Sequence, residues 1–218
     1  MRPIRVLIAE DQDLVRSGLT SLLASTPGIE VVASVRTGLE VMAGVEERRP
    51  DVVVCDYFLG GGLEGADLFA TLSQLPAPRP RVLALSMHGE TSVGERAIRA
   101  GARGFMTKED SAGELAHAIQ KVASGGIHVS GELLGRISDI FSGSRPPFTH
   151  ALSVLSDREL QVYRLLGANL DLWEIGQRLG ISTRTVGTHR EAIKRKLFLQ
   201  TGEQLVAHAR AWLRANAT

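Results

Sequence analysis

A single cysteine, Cys55, stands in 218 residues. That excludes an internal disulfide and a cysteine-built zinc site, and it fits a reducing compartment. Cys55 lies inside a valine run, the setting of a small core residue rather than a reactive thiol. No apolar run approaches the roughly 18 residues of a membrane span. The amino terminus, MRPIRVLIAE, meets an acid too early for a secretory signal, so a cytoplasmic protein is expected. The sequence has no internal repeat of about 20–50 residues and no long low-complexity tract. It also has little net charge, +1.

That small sum hides an asymmetry. Residues 1–148 hold 15 Lys and Arg against 18 Asp and Glu, net −3, whereas residues 149–218 hold 10 against 6, net +4. An acidic front and a basic back predict two domains, the second meeting a polyanion.

In the front half, five apolar runs alternate with five helix-like patterns: IRVLIA (4–9), IEVVASV (29–35), DVVVCD (51–56), RVLALS (81–86) and ARGFMT (102–107). The helical patterns carry Val15, Leu19, Leu22 and Leu23, then Leu39, Met42 and Val45. Residues of roughly 64–74 come next, followed by Val93, Ala97 and Ile98. The last pattern is Leu115, Ala118, Ile119 and Val122. Strand–helix alternation predicts a doubly wound, five-stranded parallel sheet covered on both faces, with ligands outside the carboxyl ends of the strands.

Those ends are informative. The first strand ends in Glu10 and Asp11, with Asp13 close by; the third ends in Asp56, the fourth in Ser86, and the fifth just before Lys108. The second ends in Ser34, Val35 and Arg36 and offers no carboxylate or lysine. In the order 2-1-3-4-5 it is an edge, and the four informative ends are neighbours. At about 4 Å and an effective dielectric near 20, each pair of carboxylates repels by roughly 4 kcal/mol. The cluster needs a cation, and an all-oxygen site suits Mg²⁺. No Gly-rich phosphate cradle follows the first strand, which argues against a nucleotide or flavin. One carboxylate of such a site can act as nucleophile toward a phosphoryl group, whose oxygens the metal and Lys108 would neutralise. The Ser86 hydroxyl could hydrogen-bond the bound phosphoryl group.

The pair Glu10–Asp11, with Asp56, Ser86 and Lys108, resembles the receiver domain of two-component response regulators over residues 4 to about 124. The resemblance implies a flavodoxin-like fold and phosphorylation on Asp56. It implies Mg²⁺ ligation by Glu10 (through water), Asp11, Asp56 and the Phe58 carbonyl. Phe105 matches the switch aromatic, whose ring turns inward with Ser86; an ordinary core ring is the alternative. Three positions depart from the family pattern. Gly60 and Glu109 stand where prolines are usual, and Met87 stands where a small residue is usual.

Downstream, SGGIHVSGELLGRISDIF predicts a further amphipathic helix with Leu133, Leu134, Ile137 and Ile140. SGSRPPFTH (142–150) has the composition of a linker. The expected domains are therefore 1–126 and 151–218, joined by 127–150. The second is all-α, with four helices. Ser156 and Glu159 form a capping-box pattern, Asp171 and Ser182 are caps, and Gly180 is a terminator. Helices over 171–179 and 183–197, joined by Gly-Ile-Ser, predict a helix-turn-helix with Val186, Ile193 and Leu197 inward.

The second helix of that pair is strongly basic. It would enter the major groove of double-stranded DNA amino end first, with its last-turn cations on phosphates. LSDRE, EIGQRLGIS, TVGTHR and IKRKL resemble the LuxR-type DNA-binding domain from Leu155 to about Leu213. The two halves together are similar to NarL/FixJ-class regulators. The expected DNA-facing set is Thr183, Arg184, Gly187, Thr188, His189, Arg190, Glu191, Lys194, Arg195 and Lys196. Gly187 stands where the family commonly has Lys. Glu191 would accept from cytosine N4 or, the reading preferred here, pair with Arg195. The resemblance implies a homodimer in the active form, joined through Leu205, Val206, Ala209 and Leu213. Together these features predict a transcription factor phosphorylated by a histidine kinase, with no enzymatic activity beyond its own phosphorylation and dephosphorylation. Two rivals are a Mg²⁺-dependent phosphatase with an Asp nucleophile and a phosphorylation-independent regulator that keeps the fold as a dimer scaffold.

Overall fold

Val52–Asp56 is a strand in which all five residues are buried, as its uninterrupted apolar run demands. It is β3 of a sheet in a computed structural model that describes residues 2–60, 63, 65–87, 91–131, 133–135 and 151–216. The other strands are β1 (Ile4–Ala9), β2 (Ile29–Val35), β4 (Arg81–Ser86) and β5 (Gly104–Thr107). All pairings are parallel, in the order β2-β1-β3-β4-β5. This is the expected doubly wound, flavodoxin-like topology. The chain divides into two units, Met1–Ser144 and Arg145–Thr218.

In the first unit α1 (Asp13–Ala24), α2 (Gly38–Arg48), α3 (Gly65–Gln74), α4 (Thr91–Arg99) and α5 (Ala112–Ala123) follow the strands in turn. Strand side chains alternate between faces. Val6, Ile8, Val52, Val54, Leu83 and Leu85 pack with Leu23 of α1 and Leu115, Ala118, Ile119 and Val122 of α5. The intervening residues, such as Leu7 and Val53, are also fully buried, on the side that α2, α3 and α4 cover. Burying such a leucine or valine is worth roughly 1.5–3 kcal/mol, so the two apolar faces drive this layering. One expected stripe is corrected. Leu39 is exposed, and the buried face of α2 is Gly38, Val41 and Val45. The i, i+4 spacing from Val41 carries the burial, and Leu39 lies off that line.

The edge of β5 is covered by the chain that follows α5. The Phe105 N–H donates to the His128 carbonyl at 2.8 Å, and the His128 N–H to the Arg103 carbonyl at 3.0 Å. Beyond it residues 131 and 133–135 are helical, and Leu133 is buried. A Cβ built on Gly94 of α4 would lie 2.6 Å from a Leu133 methyl and 2.9 Å from the Phe105 ring, so the three pack together. The first unit thus runs past residue 126. The rest of the expected amphipathic helix, with Ile137 and Ile140, and the linker at 142–150 lie outside the described residues.

The second unit has a 3₁₀ turn (Ala151–Val154) and four helices: α6 (Asp157–Gly167), α7 (Leu172–Leu179), α8 (Thr183–Lys196) and α9 (Gly202–Asn216). Capping boxes at Ser156/Glu159 and Asp171/Glu174 start α6 and α7. The Ser182 side chain accepts from the Thr185 N–H at the start of α8. Gly180 ends α7 in the left-handed region, φ 63°, where a Cβ is disfavoured. The turn between α7 and α8 is tight: a Cβ on Gly176 would lie 2.8 Å from the Ile181 carbonyl oxygen. Ile175, Val186 and Ile193 are fully buried, while Leu197 is half-buried.

The expected dimer face on α9 needs correcting. Leu205 and Ala209 are fully buried within the unit, where α9 packs against α6. A Cβ on Gly167 would lie 2.8 Å from Leu213 and 2.9 Å from the Ala209 backbone. A core of about 70 residues has few apolar faces to spare, and this one is spent inside the domain. Leu205 and Ala209 are therefore not available to a second copy.

Candidate functional site

The parallel sheet brings the carboxyl ends of β1, β3, β4 and β5 side by side. Glu10, directly after β1, is fully buried, and Asp56, the last residue of β3, is 5% exposed. Ser86 at the end of β4 is fully buried, and Asp11 is exposed. Lys108 follows β5. The strands thus converge the five chemically distinctive residues that the sequence singled out.

Lys108 links two of the carboxylates. Its Nζ lies 2.5 Å from Glu10 Oε2 and 2.9 Å from Asp56 Oδ2, and its side chain is 6% exposed. The Gln12 N–H donates to Glu10 Oε1 at 3.2 Å, and the Phe58 N–H donates to Asp56 Oδ1 at 3.2 Å. The Lys108 N–H donates to the Ser86 carbonyl at 2.8 Å, tying the ends of β4 and β5 together. Arg16 donates to the Glu10 carbonyl at 2.8 Å, a brace the sequence reading missed. An arginine six residues on, one helical turn into α1, was the available signal.

Burial raises the pKa of Glu10, and the Asp56 charge adds to it. Burial likewise raises Asp56, against the lowering pull of Lys108. Burial alone would lower Lys108, but Asp56 and Glu10 outweigh it, so the ammonium is held charged. One ammonium therefore faces two buried carboxyls and the nearby Asp11, and the cluster retains capacity for more positive charge.

Carboxylate oxygens of Glu10, Asp11 and Asp56 all lie within 4.8 Å of one another. Glu10 Oε2 is buried, with the Lys108 ammonium as its partner. Three carboxylates that share one ammonium, in an all-oxygen donor set, fit a hard divalent cation such as Mg²⁺. Asp13 is not part of this set. Arg16 and Arg36 both pair with it on the exposed start of α1. Phe58 is half-buried, and Phe105 is 6% exposed, its ring already turned into the protein against α4. Of the departures from the family pattern, Gly60 leaves room beside Asp11: a Cβ there would be 3.5 Å from Asp11 Oδ2. Met87, the residue after Ser86, is 43% exposed, and Glu109 is exposed. Cys55 is fully buried and unpaired, and burial pushes its thiol well up, as a core residue requires.

The second cluster lies on α8. Thr183, Arg184, Thr188, Glu191, Arg195 and Lys196 are exposed, and Gly187, His189, Arg190 and Lys194 are half-buried. A Cβ on Gly187 would meet nothing within 4 Å, so this position opens outward. Thr188 is tied to its own helix, its hydroxyl donating to the Arg184 carbonyl at 3.2 Å. Burial, then the Arg158 charge, lowers the pKa of His189, so its imidazole adds no positive charge at neutral pH. The expected Glu191–Arg195 pair is corrected. Glu191 pairs with Lys194 at 2.8 Å, one residue closer, and this contact holds its carboxylate below the usual range. Lys194 is correspondingly engaged. Lys196 lies 2.6 Å from Glu159, whose same oxygen accepts the Ser156 N–H at 2.6 Å, joining the last turn of α8 to the cap of α6. That contact spans 37 residues, and nothing in the local pattern announces it.

Comparison with known proteins places each half of the chain in a family. The family model described as "Response regulator receiver domain" matches residues 6–120, and that described as "Bacterial regulatory proteins, luxR family" matches residues 153–209. The chain is 34% identical over 202 residues to the transcriptional regulatory protein UhpA of Escherichia coli, covering 93% of this chain and 95% of that one. It is 32% identical over 205 residues to the response regulator GacA of Pseudomonas protegens, covering 93% of each. Among solved structures, the response regulator ChrA of a heme-sensing two-component system is 29% identical, with a TM-score of 0.52 over 97% of this chain and 98% of that one. The RcsB response regulator of Salmonella typhimurium, 19% identical with a TM-score of 0.64 over 97% and 98%, shares the fold. With a receiver fold ending in Glu10, Asp56, Ser86 and Lys108 and a basic helix-turn-helix behind it, the chain belongs to the response regulators of the NarL/FixJ class, DNA-binding transcription regulators that join a receiver domain to a LuxR-type domain.

Proposed function

We propose that Asp56 accepts a phosphoryl group from a histidine kinase in a Mg²⁺-dependent reaction, and that this controls dimerisation and DNA binding. The observation that carries the reading is Lys108 bridging Asp56 and Glu10 with Asp11 within reach of both. In this reading residues 1–126, completed by the following segment that covers β5, form the phosphoacceptor domain, the rest of 127–150 the connection and 151–218 the DNA-binding domain, in a cytoplasmic protein. Mg²⁺, held by Glu10, Asp11, Asp56 and the Phe58 carbonyl, would supply positive charge against the oxygens of the transferring group.

The chain's own groups divide the rest of the work. The Asp56 carboxylate is the nucleophile. Lys108 holds it in place before transfer and turns to the new charge afterwards. Ser86 donates to the bound group, and its movement draws in the loop after β4 together with Phe105. The acyl phosphate then shifts a pre-existing equilibrium between conformations rather than creating a new one.

On DNA, Thr183, Gly187, Thr188 and Glu191 lie on the base-facing side of α8. Arg184, His189, Arg190, Lys194, Arg195 and Lys196 surround them, and those that are charged meet phosphates. The test is incubation of the pure chain with a small phosphodonor and Mg²⁺, followed by intact mass. The wild type gains one phosphoryl group, and Asp56→Asn gains none. Full phosphorylation of Asp56→Asn would remove the site assignment. Equal DNA affinity before and after phosphorylation would remove the control.

A further inference from the structure

At the amino ends of the strands, the edge of the sheet opposite Asp56 and Ser86, lies a cleft of about 990 Å³. Six arginines line it, Arg2, Arg5, Arg49, Arg79, Arg81 and Arg103, with Asp51 as the one carboxylate among its lining residues. These are six of the 15 cations in residues 1–148, a stretch whose net charge is −3. Composition therefore does not explain the concentration. Asp51 accepts from Arg2 at 2.7 Å and from the Arg5 main-chain N–H at 2.9 Å. The Arg5 and Arg81 guanidiniums donate to the Arg48 and Ala123 carbonyls, at 2.7 and 2.8 Å. Such carbonyl contacts fix the guanidiniums in place and leave their charge unneutralised.

Two independent features point the same way. Arg5 Nε is buried and has no acceptor, an orphaned donor of a kind that folded proteins rarely leave without a role. Arg49 sits in the left-handed region, φ 47°, at the end of α2, where glycine or asparagine is the unstrained choice. Strain kept at a charged residue beside a cleft is a feature of ligand sites. The rigid fork of arginine matches phosphate oxygens two at a time. Val82, Ala102 and Ile98 give the cleft apolar wall as well, and its volume is that of a small-molecule site.

We propose that this cleft binds a small molecule carrying two or more phosphate groups, held by Arg5, Arg49, Arg81 and Arg103. The ligand is either a free polyphosphate or a nucleotide, and the site is separate from the phosphoacceptor.

The test is calorimetric titration of the full chain with pyrophosphate, ATP and citrate in EDTA, which keeps Mg²⁺ from the Asp56 site. Wild type and Asp56→Asn should bind a phosphate ligand saturably and alike. Arg49→Gly and Arg103→Ala should each weaken it at least tenfold. Arg49→Gly should melt at or above the wild-type temperature without ligand, because glycine relieves the left-handed strain; the lost binding is then not lost folding. Tighter binding of ATP than of pyrophosphate assigns a nucleotide, and equal binding assigns a free polyphosphate. Citrate bound as tightly as pyrophosphate overturns the phosphate assignment. Absence of saturable binding, or binding that survives both arginine substitutions and so belongs to the basic second unit, overturns the site.

Discussion

Replacing Lys108 by Met takes the one ammonium away from two buried carboxyls, Glu10 and Asp56, at 2.5 and 2.9 Å. Removing one partner of a buried ion pair costs roughly 3–5 kcal/mol, because the remaining charge stays desolvated. For a unit of this size a change of 1 kcal/mol moves the melting temperature by about 4 °C, so the expected fall in EDTA is roughly 12–20 °C. A divalent cation compensates the same charge. At about 100 times its dissociation constant it returns roughly 2.7 kcal/mol, so Mg²⁺ should recover most of the loss. Adding Glu10→Gln removes one stranded charge and should recover part of it without metal. The assay separates the units without cutting the chain. Both tryptophans, Trp173 and Trp212, lie in the second unit. A far-UV circular dichroism transition that tryptophan fluorescence does not follow therefore belongs to the first. A Lys108→Met protein that melts in EDTA within about 2 °C of wild type refutes the account of the network, since burial of two uncompensated carboxyls cannot cost so little.

Gly187→Ala should raise the melting temperature of the second unit by roughly 2–8 °C in the fluorescence transition. Glycine inside a helix costs roughly 0.5–1 kcal/mol relative to alanine, and the position is open. Lys196→Ala should cost the second unit about 1 kcal/mol through loss of the Glu159 contact. Arg195→Ala should leave stability alone and flatten the salt dependence of DNA binding by about one unit, a flattening that Lys196→Ala should share, so measuring both properties for both variants checks both assignments. Glu159 has a carboxyl held below its ordinary 4.5: burial would raise it, but Lys196 and the Ser156 cap prevail. Its stabilisation is therefore complete above about pH 4.5 and is lost as pH falls through the lower folded value. Acid titration of the second unit should show a shallower decline in Glu159→Gln than in wild type.

Apolar runs and the 3.6-residue period made the strands and the main helices legible, because burial on both faces leaves long apolar runs with abrupt ends; the order 2-1-3-4-5 came instead from setting the one uninformative strand end at an edge. The site was legible because a parallel sheet puts the carboxyl ends of all its strands along one edge. What stayed hidden was what local pattern does not encode. Leu205 and Ala209 have the spacing of an interface face, but that spacing is the same whether the partner is α6 or a second copy. Glu191 has three cations within one turn, Arg190, Lys194 and Arg195, and side-chain geometry chose Lys194. The arginine cleft gathers Arg2, Arg49, Arg79 and Arg103 from segments up to about 100 residues apart, each an unremarked surface charge when read alone.

The covered edge of β5 sets where this protein can be cut and joined. A strand already hydrogen-bonded on its outer side offers no template to another chain. A fragment that stops at residue 126 uncovers the Phe105 N–H and the Arg103 carbonyl, and strips Leu133 from the Phe105 ring. A receiver transplanted into a chimera with that boundary would carry a sticky strand and a loosened aromatic. One that keeps residues through 135 would carry its own selvedge.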